Sequence, residues 1–128
     1  MLLKQQKQWS LFVIAFLYMT LTNVSAQAKK LKDKTPEQRA KMQTEWMTTK
    51  LALSMSQIQQ VSALNLQYAQ KNETIIQSSE NKLFKFKKLK ALQKEKSNVL
   101  SQILDAAQYQ KYQEIKDQMI QTLKEKRK

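Results

Sequence analysis

Residues 54–68 read SMSQIQQVSALNLQY. The first four open a helix, and the rest show which side of it is buried. The Ser54 hydroxyl can accept from a free N–H of the first turn, while the Gln57 side chain can reach back to the backbone of Ser54. From that cap onward Ile58, Val61, Leu64 and Tyr68, continued by Ile75 and Ile76, fall within about a third of the helix circumference at a 3.6-residue period. The same opening occurs at TPEQ (Thr35 to Gln38), with proline at the first helical position, and at DAAQ (Asp105 to Gln108). Three such starts, each leading into an apolar-periodic run, point to an all-helical chain.

Outward from these caps, a first helix from Pro36 to about Lys50 carries Met42, Trp46 and Met47. Phe86, Leu89, Leu92, Leu100 and Ile103 form the stripe of a third helix. Tyr109, Tyr112, Ile115, Met119, Ile120 and Leu123 form that of a fourth. SSEN (Ser78 to Asn81) is the expected break between the second and third helices. Composition agrees: the chain has no glycine and one proline (Pro36), and a strand-rich fold would need turn glycines. Four helices with narrow stripes in about 100 residues sit at the small end for a self-sufficient core. The expected fold is an elongated helical hairpin completed by a second copy.

The absences limit the chemistry. Without histidine or cysteine the chain lacks the usual zinc ligands, the commonest general base and a thiolate nucleophile. Without glycine it has no phosphate-binding loop or dinucleotide fingerprint. No spacing among the ten acidic residues singles out a catalytic pair, so neither an enzyme nor a cofactor is expected. Met42, Met47, Met55 and Met119 read as core filler, not as metal ligands.

The amino terminus has the three parts of an export signal: Lys4 and Lys7, the apolar run LFVIAFLYMTL (Leu11 to Leu21), and small residues in NVSAQA. The run is shorter than the roughly 18–20 residues that cross a bilayer. A cleaved leader of residues 1–26 is therefore expected, with the cut before Gln27 or before Lys29. A flexible basic segment (27–34), a helical domain (35–124) and a basic tail (125–128) follow. The full chain carries 23 basic and 10 acidic residues. The leader holds two of the lysines and no acid, which leaves 21 against 10, a net charge of +11. In an exported protein that charge suits acidic proteins, anionic lipid or the envelope better than nucleic acid.

Two of the caps lie in a longer pattern. LSMSQ (Leu53 to Gln57) and LDAAQ (Leu104 to Gln108) resemble the paired LTxxQ motifs of the Spy/CpxP family of periplasmic proteins, and the likeness extends over roughly Thr35 to Met119. Ser54 and Asp105 stand where the motif has threonine, and both are good caps. Leu53 and Leu104 are expected to pack just before them. The resemblance implies a cradle-shaped antiparallel homodimer with a basic, partly apolar concave face, acting as an ATP-independent chaperone, a stress-sensor adaptor or a metal-responsive protein. The metal branch relies on histidine, which this chain lacks.

KLFKFKKLKALQKEK (82–96) is the candidate contact surface. Phe86, Leu89 and Leu92 join the core stripe, whereas Phe84 points away from it with Lys87, Lys88 and Lys94 around its side. An apolar ring among mobile cations suits loose binding of an unfolded chain: charge speeds encounter, and small apolar contacts hold without demanding a fixed shape. Lys82, Phe84, Lys85, Lys87, Lys88 and Lys90 are the expected contact residues, with Leu66, off the core face of its own helix, as a further candidate. Lysines surround the first two turns without leaving a wide apolar face, so any membrane contact is expected to be peripheral. The expected function is that of an ATP-independent periplasmic holdase for unfolded envelope proteins. The alternative is an adaptor docking on the periplasmic domain of an envelope-stress sensor kinase.

Overall fold

The computed structural model describes residues 33–126, which form four helices: α1 (Pro36–Leu51), α2 (Met55–Ile76), α3 (Lys82–Ile103) and α4 (Ala106–Lys126). The expected leader, most of the 27–34 segment, the end of the basic tail and the side chains of Met119, Ile120 and Leu123 lie outside the described residues. Among the described residues the fold is all-α, and no helix is long and apolar enough to cross a membrane.

Each helix begins where a short polar side chain closes the free N–H groups of a first turn. Thr35, Ser54 and Asp105 accept from the backbone of Gln38, Gln57 and Gln108, and each glutamine side chain accepts in return from the cap residue's N–H. α3 starts inside the expected break, at Asn81, whose Oδ1 accepts from Phe84 N at 2.9 Å. Phe84 cannot return the bond, so this start has no capping box and its sequence signal is weaker.

α1 ends at Ala52, which takes a left-handed conformation (φ 51°, ψ 56°) and donates its N–H to the Thr48 carbonyl. Glycine is the usual residue there because a Cβ crowds the backbone at positive φ. Ala52→Gly is accordingly expected to stabilise the fold by about 0.5–1 kcal/mol, measured by urea denaturation.

One apolar cluster joins the helices. Trp46, Met47 and Leu51 of α1 pack with Val61, Leu64 and Tyr68 of α2, Leu100 of α3 and Tyr112 of α4. The linker residues Leu53 and Leu104 are buried in it, as their places before the caps suggest. Antiparallel pairing of α1 and α2 brings Arg39 to Glu73 in an ion pair and places Asn65 Nδ2 2.9 Å from Thr44 Oγ1. Tyr68 and Glu95 meet between α2 and α3, and Gln93 donates to the Tyr112 hydroxyl between α3 and α4. Burial, with Glu95 nearby, raises the Tyr68 hydroxyl above its ordinary pKa.

The stripes come from apolar periodicity and miss the polar side chains that are buried with them. Arg39, Gln43, Asn65 and Lys96 are all enclosed. Lys96 is only 5% exposed and donates to Gln43 Oε1 at 2.8 Å; burial brings its amine down to about 7. Among the methionines, Met47 is fully enclosed, whereas Met55, expected as core filler, is 78% exposed at the first position of α2. Its place on the outer side of a capped first turn keeps it from the core.

Candidate functional site

The two motif segments meet at one end of the molecule. Gln57 Nε2 donates to Gln108 Oε1 at 2.7 Å, and Gln108 Nε2 donates to Gln57 Oε1 at 3.1 Å. Each amide also donates to backbone just before the other motif, Gln57 to the Ile103 carbonyl (3.2 Å) and Gln108 to the Leu51 carbonyl (3.1 Å). With the cap N–H groups counted, every donor and acceptor of both amides is engaged. Leu53, Ser54, Gln57, Leu104, Asp105 and Gln108 thus form a reciprocal clasp that fixes α1–α2 against α3–α4. The two glutamine amides are consumed in holding the chain. Thr35 and Gln38 form the same local box, with no bond across the fold among the described residues.

The opposite end is the tip of the α2–α3 hairpin. A 22-residue helix such as α2 spans roughly 30 Å at 1.5 Å per residue, so tip and clasp are well separated. At the tip, Leu83 is 66% and Phe84 50% exposed, adjacent in the first turn of α3. Phe86 is half-buried and Leu89 buried, as the stripe requires.

The lysines of this stretch divide by role. Lys82, Lys87 and Lys90 are exposed, as is Lys94. Lys85 instead turns inward and donates to the Ile76 carbonyl at 2.8 Å, satisfying the exposed C-terminal end of α2. Lys88 pairs with Glu80 at 2.8 Å and lies 5.1 Å from the centre of the Phe84 ring. Two of the six expected contact residues therefore have work within the chain, while Leu83, not among the six, is the most exposed apolar side chain of the group. Its signal was present in its position beside Phe84, off the stripe of Phe86, Leu89 and Leu92.

Leu66 is elsewhere. It is half-buried and lines a groove of about 210 Å³ between α1 and α2, with Ala40, Thr44 and Ser62 beside it and Glu37, Lys41 and Glu45 around it. A backbone hydrogen bond holds Glu37 below the usual carboxylate range. The fold does not bring Leu66 together with the lysine stretch, so these candidates form two separate surfaces.

Comparison with known proteins adds a family without a role. A family model described as Domain of unknown function (DUF4890) matches residues 25–112. Neither a curated protein nor a solved structure matches the chain.

Proposed function

We propose that the chain, which belongs to the DUF4890 family, is an exported, ATP-independent chaperone of the holdase type that binds non-native envelope proteins on a basic, partly apolar surface. The observation that carries this reading is the placement of Leu83 and Phe84 in water among Lys82, Lys87, Lys90 and Lys94. Exposed amines attract acidic segments over several ångströms, and the two apolar side chains add contact that salt does not screen. Neither demands a folded partner. The paired LSMSQ and LDAAQ segments and the export-type leader support the same reading through their resemblance to Spy/CpxP proteins. The matched family region starts at residue 25, leaving the apolar run outside it. The active form in this reading is a homodimer that extends the basic surface into a cradle.

The test is binding of a fluorescently labelled unfolded protein to wild type and to a variant with Phe84→Ala and glutamine at Lys82, Lys87 and Lys90. Helicity should persist, because these side chains are exposed, and affinity should fall at least tenfold. Equal affinity would remove the surface from the site. A regulatory adaptor is the second reading, favoured by the strong positive charge, which suits the acidic surface of a folded sensor domain. It requires a one-to-one complex with a single folded partner, lost at moderate salt.

A further inference from the structure

We propose that the α2–α3 hairpin tip seats the protein end-on at an anionic lipid surface, with Leu83 and Phe84 entering the headgroup boundary and Lys82, Lys87 and Lys90 facing lipid phosphates. This goes beyond the chaperone reading and stands without it.

Three large apolar side chains are exposed among the described residues, and two of them, Leu83 and Phe84, are neighbours at this tip. They stand in the first turn of a helix, where the chain has just reversed direction, at the far end of α2 from the clasp. The lysines that surround the first turns argue against α3 lying flat in an interface, which would need one wide apolar face. An end-on approach needs only a short apolar point with free cations beside it, and Lys82, Lys87 and Lys90 share one side of α3 with Leu83. Lys82, Lys87 and Lys90 lie within roughly 12 Å of one another along the helix axis, close to the distance over which salt screens exposed charge.

The remaining polar groups at the tip fit this arrangement. Lys85 donates to the Ile76 carbonyl and so caps the end of α2. Glu80, the acid beside the tip, is paired with Lys88, so its charge is compensated before it meets a lipid phosphate. Lys88 lies near the Phe84 ring, where its stem adds to the apolar point. A headgroup layer closes around a projecting side chain. Charge and apolar contact are each too weak to anchor a protein alone, and together they give reversible binding that requires anionic lipid.

The experiment is co-sedimentation of residues 27–128, which hold all four helices and exclude the apolar leader, with vesicles of phosphatidylcholine alone or with 30% phosphatidylglycerol. Binding to the anionic vesicles is expected to exceed binding to neutral ones at least tenfold. A Leu83→Ser/Phe84→Ser variant, which keeps the charge, should lose about tenfold. Phe84→Trp should add to the emission of the buried Trp46 a component that shifts to the blue with anionic vesicles only. Wild type that fails to bind, a serine variant that binds equally, or an unshifted tryptophan would overturn the proposal. So would a serine variant that loses only its effect on unfolded protein, which would assign the tip to clients alone; failure of the chaperone assay with vesicle binding intact would leave it standing.

Discussion

Replacing Gln108 by alanine is expected to lower stability by about 2–3 kcal/mol, against about 1 kcal/mol for the same change at Gln38. Both side chains close a capping box, so their local contributions match. Gln38 does so in an exposed turn, and among the described residues its side chain bonds to Thr35 alone. Gln108 also exchanges two hydrogen bonds with Gln57 and donates to the Leu51 carbonyl. Its loss leaves that carbonyl and half of the Gln57 amide without partners in a half-buried place. Thermal unfolding followed by circular dichroism should drop by about 10 °C or more for Gln108→Ala and about 5 °C for Gln38→Ala, given the usual scaling for a domain of this size. Gln57→Ala should behave like Gln108→Ala. The double variant should cost about 1 kcal/mol less than the sum, because both changes remove the same two bonds. Equal effects at Gln38 and Gln108 would show that the clasp contributes nothing.

The second large effect is a pH dependence that comes from Lys96. Its amine titrates near 7 in the folded chain, because burial disfavours the ammonium, and near 10.4 when unfolded. At pH 6 both states hold the proton, and the folded state carries the full burial cost. Between about 7 and 10 the unfolded chain binds more protons, so stability rises with pH, by at most about 1.4 kcal/mol per unit. From pH 6 to 9.5 the gain should reach roughly 3 kcal/mol, and Lys96→Met should abolish it. The window is unusually clean: the chain has no histidine and no cysteine, which leaves the α-amino group as the other group that ordinarily titrates there. Tyr68 and Tyr112, both raised by burial, lose protons above it. Gln43 is the acceptor that faces the amine, and it does not ionise. Parallel pH curves for wild type and Lys96→Met, from urea denaturation, would contradict this.

The parts of the fold legible in the sequence are those set by neighbouring residues. The boxes at Thr35, Ser54 and Asp105 could be read because cap and glutamine lie three residues apart, and the stripes because apolar residues recur at the helical period. Asn81 gave less away, since Phe84 holds the place of a returning glutamine. The clasp was half visible: the duplication of LSMSQ and LDAAQ drew attention to Gln57 and Gln108, but each reads locally as a completed cap. Their exchange across the fold depends on how α1–α2 meets α3–α4. Burial of Arg39, Gln43, Asn65 and Lys96 was hidden for a similar reason, because a hydropathy pattern ranks such residues as solvent-facing. At the candidate site, Phe84 was marked by its place off the stripe. The separate roles of Lys85 and Lys88 depend on the turn that brings Ile76 and Glu80 within their reach.

A surface that holds unfolded protein without ATP should keep an aggregating protein in solution. The most direct measurement is light scattering of an unrelated aggregating protein with and without purified residues 27–128, in the absence of ATP, at low and moderate salt. Suppression is expected near equal molar ratio, weakened by salt but not abolished, because Leu83 and Phe84 contribute where the lysines are screened. A folded sample that leaves the aggregation unchanged at both salt concentrations would contradict it.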